Sequence, residues 1–511
     1  MHNSEKDKQK NRIDNYPNDK GSSNNKISKD AWNTLIILSL IGVIIVYSET
    51  MLIPAIPDLI NDFGIKYNTI SWILTGYLIS GAVATPIAGK LSDVYGKKKM
   101  AIIVMLIYTV GSFTAIFSPD IVTMIISRIT QGIGMSVFPI ALSIIRDKFP
   151  ENKLAIGQGI FTSLFAVGGV IGLSLGAMTT EYFGWRSTFV SITPISLILT
   201  FIIMKYITTK KENNDSKKTI KKNIDLKSIV TLTISISSFL IAITLIGDLN
   251  ISDLNNVSNN HDTLILIILF SISSIISLTI FIIVQKRIQN PLIDLYLLKD
   301  KILLPTNILL MLIGTSLFMI YQTISIFIRN PSPVGFGGSV IDAANIQLPF
   351  MILALLVSIM SGFLITKFGN IKPTIIGCIV SIIGFFSLYL YHSTEFELII
   401  NLSIIATGLA LAEIGGFNIT LVSVSTKLSG SSMGITTLLF FIGMSIGPAI
   451  SGIYLETFST TIILDGLTKS SPSSFSFDLI FLTATLMCVL SLILSLVSTK
   501  KIRAKKIFYQ N

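Results

Sequence analysis

Fourteen stretches of the chain are apolar almost without interruption, at about 33–53, 68–88, 100–118, 121–145, 155–178, 186–206, 228–247, 263–284, 303–328, 345–366, 373–392, 398–424, 433–455 and 478–498. A helix rises 1.5 Å per residue, so about 20 such residues cross the hydrocarbon of a bilayer. The pattern therefore predicts an all-α integral membrane protein of fourteen spans. Residues 1–32 and 499–511 are polar tails, the first with the Asn/Lys/Asp/Ser-rich composition of a disordered segment. Thirty polar residues precede the first run and no small-residue cleavage site follows it, so a signal peptide is not expected.

Charge tests the count independently. With the N-terminus inside, 34 of the 39 Lys and Arg residues fall in segments on that side. Lys66, Arg186, Arg329 and Lys469 fall on the other, and Arg128 alone lies within a span. Lys and Arg accumulate in cytoplasmic loops, so both termini are expected in the cytoplasm, in the plasma membrane. A wrong count would move whole loops across and destroy the asymmetry. The net charge of +11 is thereby explained without a nucleic-acid partner. The remaining composition agrees: 51% hydrophobic, 13% charged, mean hydropathy +0.73. A soluble chain carries about 25% charged residues.

An internal repeat divides the spans. Gly89-Lys-Leu91-Ser-Asp93-Val-Tyr95-Gly96-Lys97-Lys-Lys99 follows the second span, and Gly362-Phe-Leu364-Ile-Thr366-Lys-Phe368-Gly369-Asn-Ile-Lys372 follows the tenth. Gly168-x-x-x-Gly172-Leu-x-x-Gly176 in span five is matched by Gly443-x-x-x-Gly447-Pro448-x-x-x-Gly452 in span thirteen. The offsets are 273 and 275 residues, eight spans in each case. Two six-helix bundles, at 33–206 and 303–498, with a basic linker at 207–227 and two inserted helices at 228–284, satisfy this arithmetic. Repeated halves with a site between them near the midplane are the architecture of secondary transporters.

In the Gly89–Lys99 segment the glycines are expected to let the chain turn and helices two and three approach. Asp93 is placed to meet a helix N-terminus or a cation, and Lys97–Lys99 to hold the loop in the cytoplasm. A topology-setting turn with a solvated charge run would explain the lysines alone. The eleven-residue pattern resembles the loop signature of the major facilitator superfamily, and fourteen spans resemble its drug–proton antiporter branch. Further resemblances are Arg128-Ile-Thr-Gln131-Gly132-Ile-Gly134 in span four, Trp185-Arg186-x-x-Phe189 with Pro194 at the fifth-to-sixth junction, and Glu49-Thr50…Ala55-Ile56-Pro57 near the end of span one. The likeness implies a fold of two six-helix bundles and a gating role for Gly89, Asp93, Gly96 and Lys97. There are departures. The branch's span-five motif, Gly-Pro-x-x-Gly-Gly, reads Gly172-Leu-Ser-Leu-Gly176-Ala177 here, which keeps small-residue packing but not a proline-tied bend. Where the family's first helix commonly carries Asp, this chain has Ser48, with Glu49 one position and about 100° around the helix away.

Only Glu49, Arg128 and Glu413 are ionisable and well inside spans. Such a group costs at least about 2.5 kcal/mol in hydrocarbon, which makes each a functional candidate. Glu49 lies roughly 8 Å below Pro54 and Arg128 roughly 12 Å below Asp120, at 1.5 Å per residue, so the two are expected to meet as a proton-coupling pair or as a structural ion pair. Glu413 has no partner evident in the sequence. Tyr47, Tyr77, Gln131, Tyr321 and Phe417 are candidates to line a substrate cavity, with Trp72 beside them, against the alternative of lipid contact or packing. Gly168, Gly172, Gly176, Gly443, Gly447 and Pro448 are expected at helix–helix contacts.

No GxxxxGK[ST] loop, zinc spacing or CxxC pair occurs, so no enzyme activity, cofactor, metal or disulfide is expected. The expected function is proton-coupled export of small amphipathic or cationic compounds by alternating access, from a monomer. An exporter of an endogenous metabolite or lipid, an uncoupled facilitator, or a non-transporting receptor or scaffold are the rivals.

Overall fold

The structure, a computed structural model, describes residues 27–150, 153–207, 226–247, 249, 257–288, 291, 295–424, 429–464 and 467–508. Most of the two polar segments expected at 1–32 and 207–227 lies outside these residues. So do the side chains of Asp93 and Thr366.

Among the described residues, fourteen helices are long and apolar enough to cross a membrane. They are α1 (Lys29–Thr50), α2 (Tyr67–Tyr95), α3 (Lys97–Ile116), α4, α5 (Leu154–Phe183), α6 (Arg186–Tyr206), α7 (Leu226–Ile246), α8 (Val257–Arg287), α9 (Leu303–Arg329), α10 (Val340–Phe368), α11 (Ile371–Leu390), α12 (Glu395–Ser423), α13 (Ser429–Thr457) and α14 (Ser474–Phe508). Helix α4 consists of Ile121–Gly132 and Val137–Lys148, joined by a 3-10 turn at Ile133–Ser136. An even number of crossings brings the ends of α1 and α14 to one face of the bundle, here the terminal face. The opposite face is the far face.

The first apolar run does not stay helical to its end. Helix α1 stops at Thr50, and Met51–Ala55 form a buried turn into a short helix, Ile56–Phe63. Pro54 supplies no N–H and disfavours helical backbone at Ile53 before it.

Helices α1–α6 and α9–α14 form the two bundles, and they meet along two seams, α2 against α13 and α5 against α10. The inserted α7 and α8 pack on each other, and α7 covers the α2–α13 seam. There Leu232, Ile236 and Leu240 of α7 share a core with Ile79, Ala82 and Val83 of α2 and Ile435 and Leu438 of α13. The hairpin α7–α8 is also stitched by polar contacts: Ser235 and Ser274 each donate to the other's carbonyl, at 3.2 and 2.9 Å. In lipid, where apolar association drives little, such bonds hold helices together.

The repeat is visible in packing. A Cβ on Gly172 would fall 2.6 Å from the Tyr47 carbonyl oxygen of α1, and one on Gly447 would fall 2.4 Å from the Thr315 carbonyl oxygen of α9. Gly168 touches α1, Gly176 touches Met51 just past its end, and Gly443 touches α9, in the same way. Each half thus packs its fifth helix on its first through glycines. The α2–α3 and α10–α11 turns correspond too: Gly96 and Gly369 adopt φ +96° and +75°, a region that costs a side chain strain. Gly89 departs from expectation. A Cβ there meets nothing within 4 Å, so no close helix approach requires it.

Candidate functional site

Helix α1 ends with Tyr47–Thr50, where the Met51 N–H still donates to the Tyr47 carbonyl at 2.9 Å and the last carbonyls of a helix look outside it for donors. Arg128 of α4 is fully buried against this end. Its Nη1 donates to the Ser48 carbonyl at 3.0 Å, and its Nε donates to the Ile73 carbonyl of α2 at 3.2 Å. Nη1 also donates to Gln131 Oε1 one turn along α4. A cation at a helix C-terminus complements the partial negative charge there. The guanidinium further stacks on Tyr77, 4.2 Å from the ring centroid. Nη2 has no hydrogen-bond partner among the described residues. Gly132 makes this geometry possible, since a Cβ there would fall 2.1 Å from the Tyr77 carbonyl oxygen.

The expected Glu49–Arg128 ion pair is absent from the described contacts; Arg128 meets Ser48's backbone instead. Ser48 itself bonds to Tyr108 through its hydroxyl. Glu49, 7% exposed, makes no hydrogen bond among the described residues. Its carboxylate lies within electrostatic reach of Arg128 on one side and of Glu413 of α12 on the other. Tyr321 of α9 lies within reach of both carboxylates. Sequence gave Glu413 no partner, because the residue that senses it is 364 positions away in the other half. Two acids, one from each half, thus lie inside the spans with Tyr321 within electrostatic reach of both.

The aromatic candidates separate into two groups. Tyr77 and Gln131 are fully buried and committed: the Tyr77 hydroxyl donates to the Ile45 carbonyl at 2.9 Å, and Gln131 Nε2 donates to Ser112 at 2.9 Å. They support Arg128. Tyr321 and Phe417 are partly exposed. Tyr321 packs edge-on to Phe318 and Phe350 and donates to Met351 Sδ at 3.5 Å, while Phe417 packs edge-on to Phe440. Tyr47 is buried beside Gly172, and Trp72 borders the core shared with α7.

In the α2–α3 turn, Lys97 Nζ reaches Asp147 at 2.5 Å and the Ser143 carbonyl at 3.3 Å, both on α4. Lys98 Nζ donates to the Met204 carbonyl in the last turn of α6 at 2.7 Å. Two of the three lysines therefore tie the turn to neighbouring helices. Pro448 stands within α13, one residue from Gly447 and its contact with α9.

Described polar contacts between the halves lie toward the far face. Ser71 accepts from Gln322 at 2.7 Å, Thr75 donates to the Ser445 carbonyl at 3.1 Å, and Arg329 forks onto Asp58 at 2.5 and 2.7 Å. At the same face Trp185 donates to Asp62 at 2.8 Å, and Arg186 stacks on Trp185 and donates to the Ser118 carbonyl. On the terminal face, Gly89, Gly159 and Gly434, on the seam helices α2, α5 and α13, border open space. The described polar contacts between the halves thus gather at one end of the seams. A groove on the surface between α10, α11 and α12, lined by Leu353, Val380, Ile399 and Thr407, holds no ionisable side chain and lies apart from this site.

The family model of the Major Facilitator Superfamily matches residues 38–448. The chain belongs to that superfamily. It is 26% identical over 434 residues to Multidrug resistance protein 3 of Bacillus subtilis (strain 168), spanning 83% of this chain and 80% of that one. It is 31% identical over 180 residues to Riboflavin transporter RibZ of Clostridioides difficile (strain 630), spanning 35% of this chain and 40% of that one. Among solved structures, the human organic anion transporter MFSD10 superposes with a TM-score of 0.60 at 12% identity, covering 91% of this chain and 99% of that one. That likeness is one of fold. Superfamily membership agrees with the all-helical fold of two bundles.

Proposed function

We propose that this superfamily member is a secondary transporter that exports small amphipathic or cationic compounds in exchange for protons, working by alternating access of its two halves. The observation that carries the reading is Glu49 at the end of α1, buried and without a hydrogen-bond partner among the described residues, with Glu413 of the other half within electrostatic reach of it. A carboxyl there can hold a proton or a cation, but not readily both, which is the requirement for exchange. Similarity to Multidrug resistance protein 3 supports the substrate class. Tyr321 and Phe417, partly exposed, supply aromatic faces for an organic cation.

With both termini in the cytoplasm of a plasma-membrane protein, the terminal face, which lies away from the polar contacts between the halves, is the side that opens inward. Gly89, Asp93, Gly96 and Lys97 then belong to the gate that closes it. Cysteine at position 262, exposed at the start of α8, should be labelled by an impermeant reagent from outside only. Labelling from the cytoplasmic side alone would reverse the orientation. No cofactor or partner protein enters the scheme, and the working unit is the monomer.

Flux in sealed proteoliposomes tests the activity: a cationic dye should move against its gradient when a pH gradient is imposed and not when it is collapsed. Equal movement in both conditions would make the protein an uncoupled facilitator. Similarity to Riboflavin transporter RibZ favours a second reading, transport of an endogenous heterocyclic metabolite, and riboflavin in the same assay separates the two.

A further inference from the structure

We propose that Glu181 and Glu456 form a two-fold-related pair of latches holding the far face closed, each carboxylate of one half capping the first turn of a helix in the other. Glu181, near the end of α5, accepts from the Val340 N–H, the first of α10, at 3.1 Å. Glu456, near the end of α13, accepts from the Tyr67 N–H, the first of α2, at 3.0 Å. The carboxylates are 275 residues apart and their acceptor helices begin 273 residues apart, the two offsets of the internal repeat. The same contact is therefore made twice, once along each seam.

The first four N–H groups of a helix have no partners within it, and a carboxylate meets both their hydrogen bonding and the positive end of the dipole. Such caps usually come from the preceding residues of the same chain segment. At α2 that local supply fails: its cap position is Lys66, whose side chain carries no acceptor and makes no capping bond. Glu456 of the other half takes that place. At α10 the local cap is intact, with Ser339 and Asp342 forming a reciprocal capping box, and Glu181 adds the bond to Val340. Parting the far face removes a cap from both helices, but leaves only α2 without a side-chain cap. Glu456 is the stronger latch, and it is half-buried where Glu181 is exposed.

This inference rests on the alternating-access reading, and distance measurements between spin labels test the two separately. Cys378 and Cys488, both buried, are replaced by Ala. Labels then go at Phe183→Cys and Phe396→Cys on the far face, which are 77% and 71% exposed, and at Ile156→Cys and Met360→Cys toward the terminal face. Glu456→Ala should raise the far-face-open population roughly two- to fivefold, the effect of a charge at a helix terminus. Glu181→Ala should raise it less, and the double substitution most, with terminal-face distances shortening in parallel. Glu456→Gln, which keeps shape and an acceptor while removing charge, should shift in the same direction by a smaller factor. Two parent populations that no variant changes would overturn the latch alone. A single population that no variant splits would overturn both readings. Widening at the far face without shortening at the terminal face would reduce the contacts to local caps and also overturn the latch.

Discussion

Arg128 donates to the backbone carbonyl of Ser48 at 3.0 Å and forms no ion pair with Glu49, the next residue. The cation is anchored by groups that no side-chain substitution at position 48 removes. The acid one position along remains free of fixed partners among the described residues. In this arrangement Arg128 organises the junction of α1, α2 and α4, and Glu49 is available for exchange.

Glu49→Gln should abolish concentrative, pH-driven transport while leaving movement down the substrate gradient. Glutamine keeps the shape of a protonated carboxyl but cannot release the proton. The measurement is dye accumulation in proteoliposomes with and without a pH gradient. If the variant still concentrates dye, Glu49 is structural, and Glu413, the acid of the other half, is the next to substitute.

Arg128→Lys should fail to substitute despite keeping the charge. Lysine has a single ammonium where Arg128 spreads donors over Ser48, Ile73 and Gln131 and stacks on Tyr77. Each lost bond to a charged donor is worth about 1.5–3 kcal/mol, so the variant should unfold at distinctly lower temperature in detergent and transport at under a tenth of the parent rate. Parent-like melting and flux would show that charge alone suffices.

The fourteen spans were legible because hydrocarbon permits only long apolar helices and because basic loops record orientation. The repeat was legible through Gly96 and Gly369, which backbone geometry demands. The partners of Arg128 were not, since a carbonyl acceptor leaves no mark on residue type. Depth along the helices put Arg128 and Glu49 at one level, but it could not distinguish Ser48's backbone from Glu49's side chain. Contacts between halves, such as Gln322 to Ser71, were hidden for the same reason that they matter: they join segments 251 residues apart. Glu181 and Glu456 did carry a signal, their shared repeat offset, outside the glycine motifs where the repeat was sought.

Glycines of similar appearance should respond very differently to alanine. At Gly172 a Cβ would fall 2.2 Å from Thr50 Oγ1 and 2.6 Å from the Tyr47 carbonyl oxygen, and at Gly447 2.4 Å from the Thr315 carbonyl oxygen. Backbone cannot yield as a side chain can, so Gly172→Ala and Gly447→Ala should each destabilise by about 1–3 kcal/mol, the usual cost of overpacking. Gly89→Ala meets open space and should leave thermal stability unchanged. Melting temperatures in one detergent check all three, and equal losses would contradict the packing described.

The Arg329–Asp58 pair should govern how readily the far face opens. Arg329 ends α9 in one half, Asp58 sits in the short helix after α1 in the other, and the fork is two-pronged at 2.5 and 2.7 Å. The side chains are only 16% and 30% exposed, so solvent screens the pair incompletely. Exposed pairs contribute about 0.2–1 kcal/mol, and a bidentate, sheltered one belongs at the top of that range. Asp58→Asn should therefore raise the far-face-open population by about fivefold, since 1.4 kcal/mol is a factor of ten. Reversing both charges, Asp58→Arg with Arg329→Asp, should recover part of the loss because the attraction survives even if the fork does not. A disulfide-containing thiol cross-linker joining Asp58→Cys to Arg329→Cys, in a background lacking Cys378 and Cys488, should stop transport until reductant cleaves it. Transport through the cross-linked protein at the parent rate would mean that this end of the seam never needs to part.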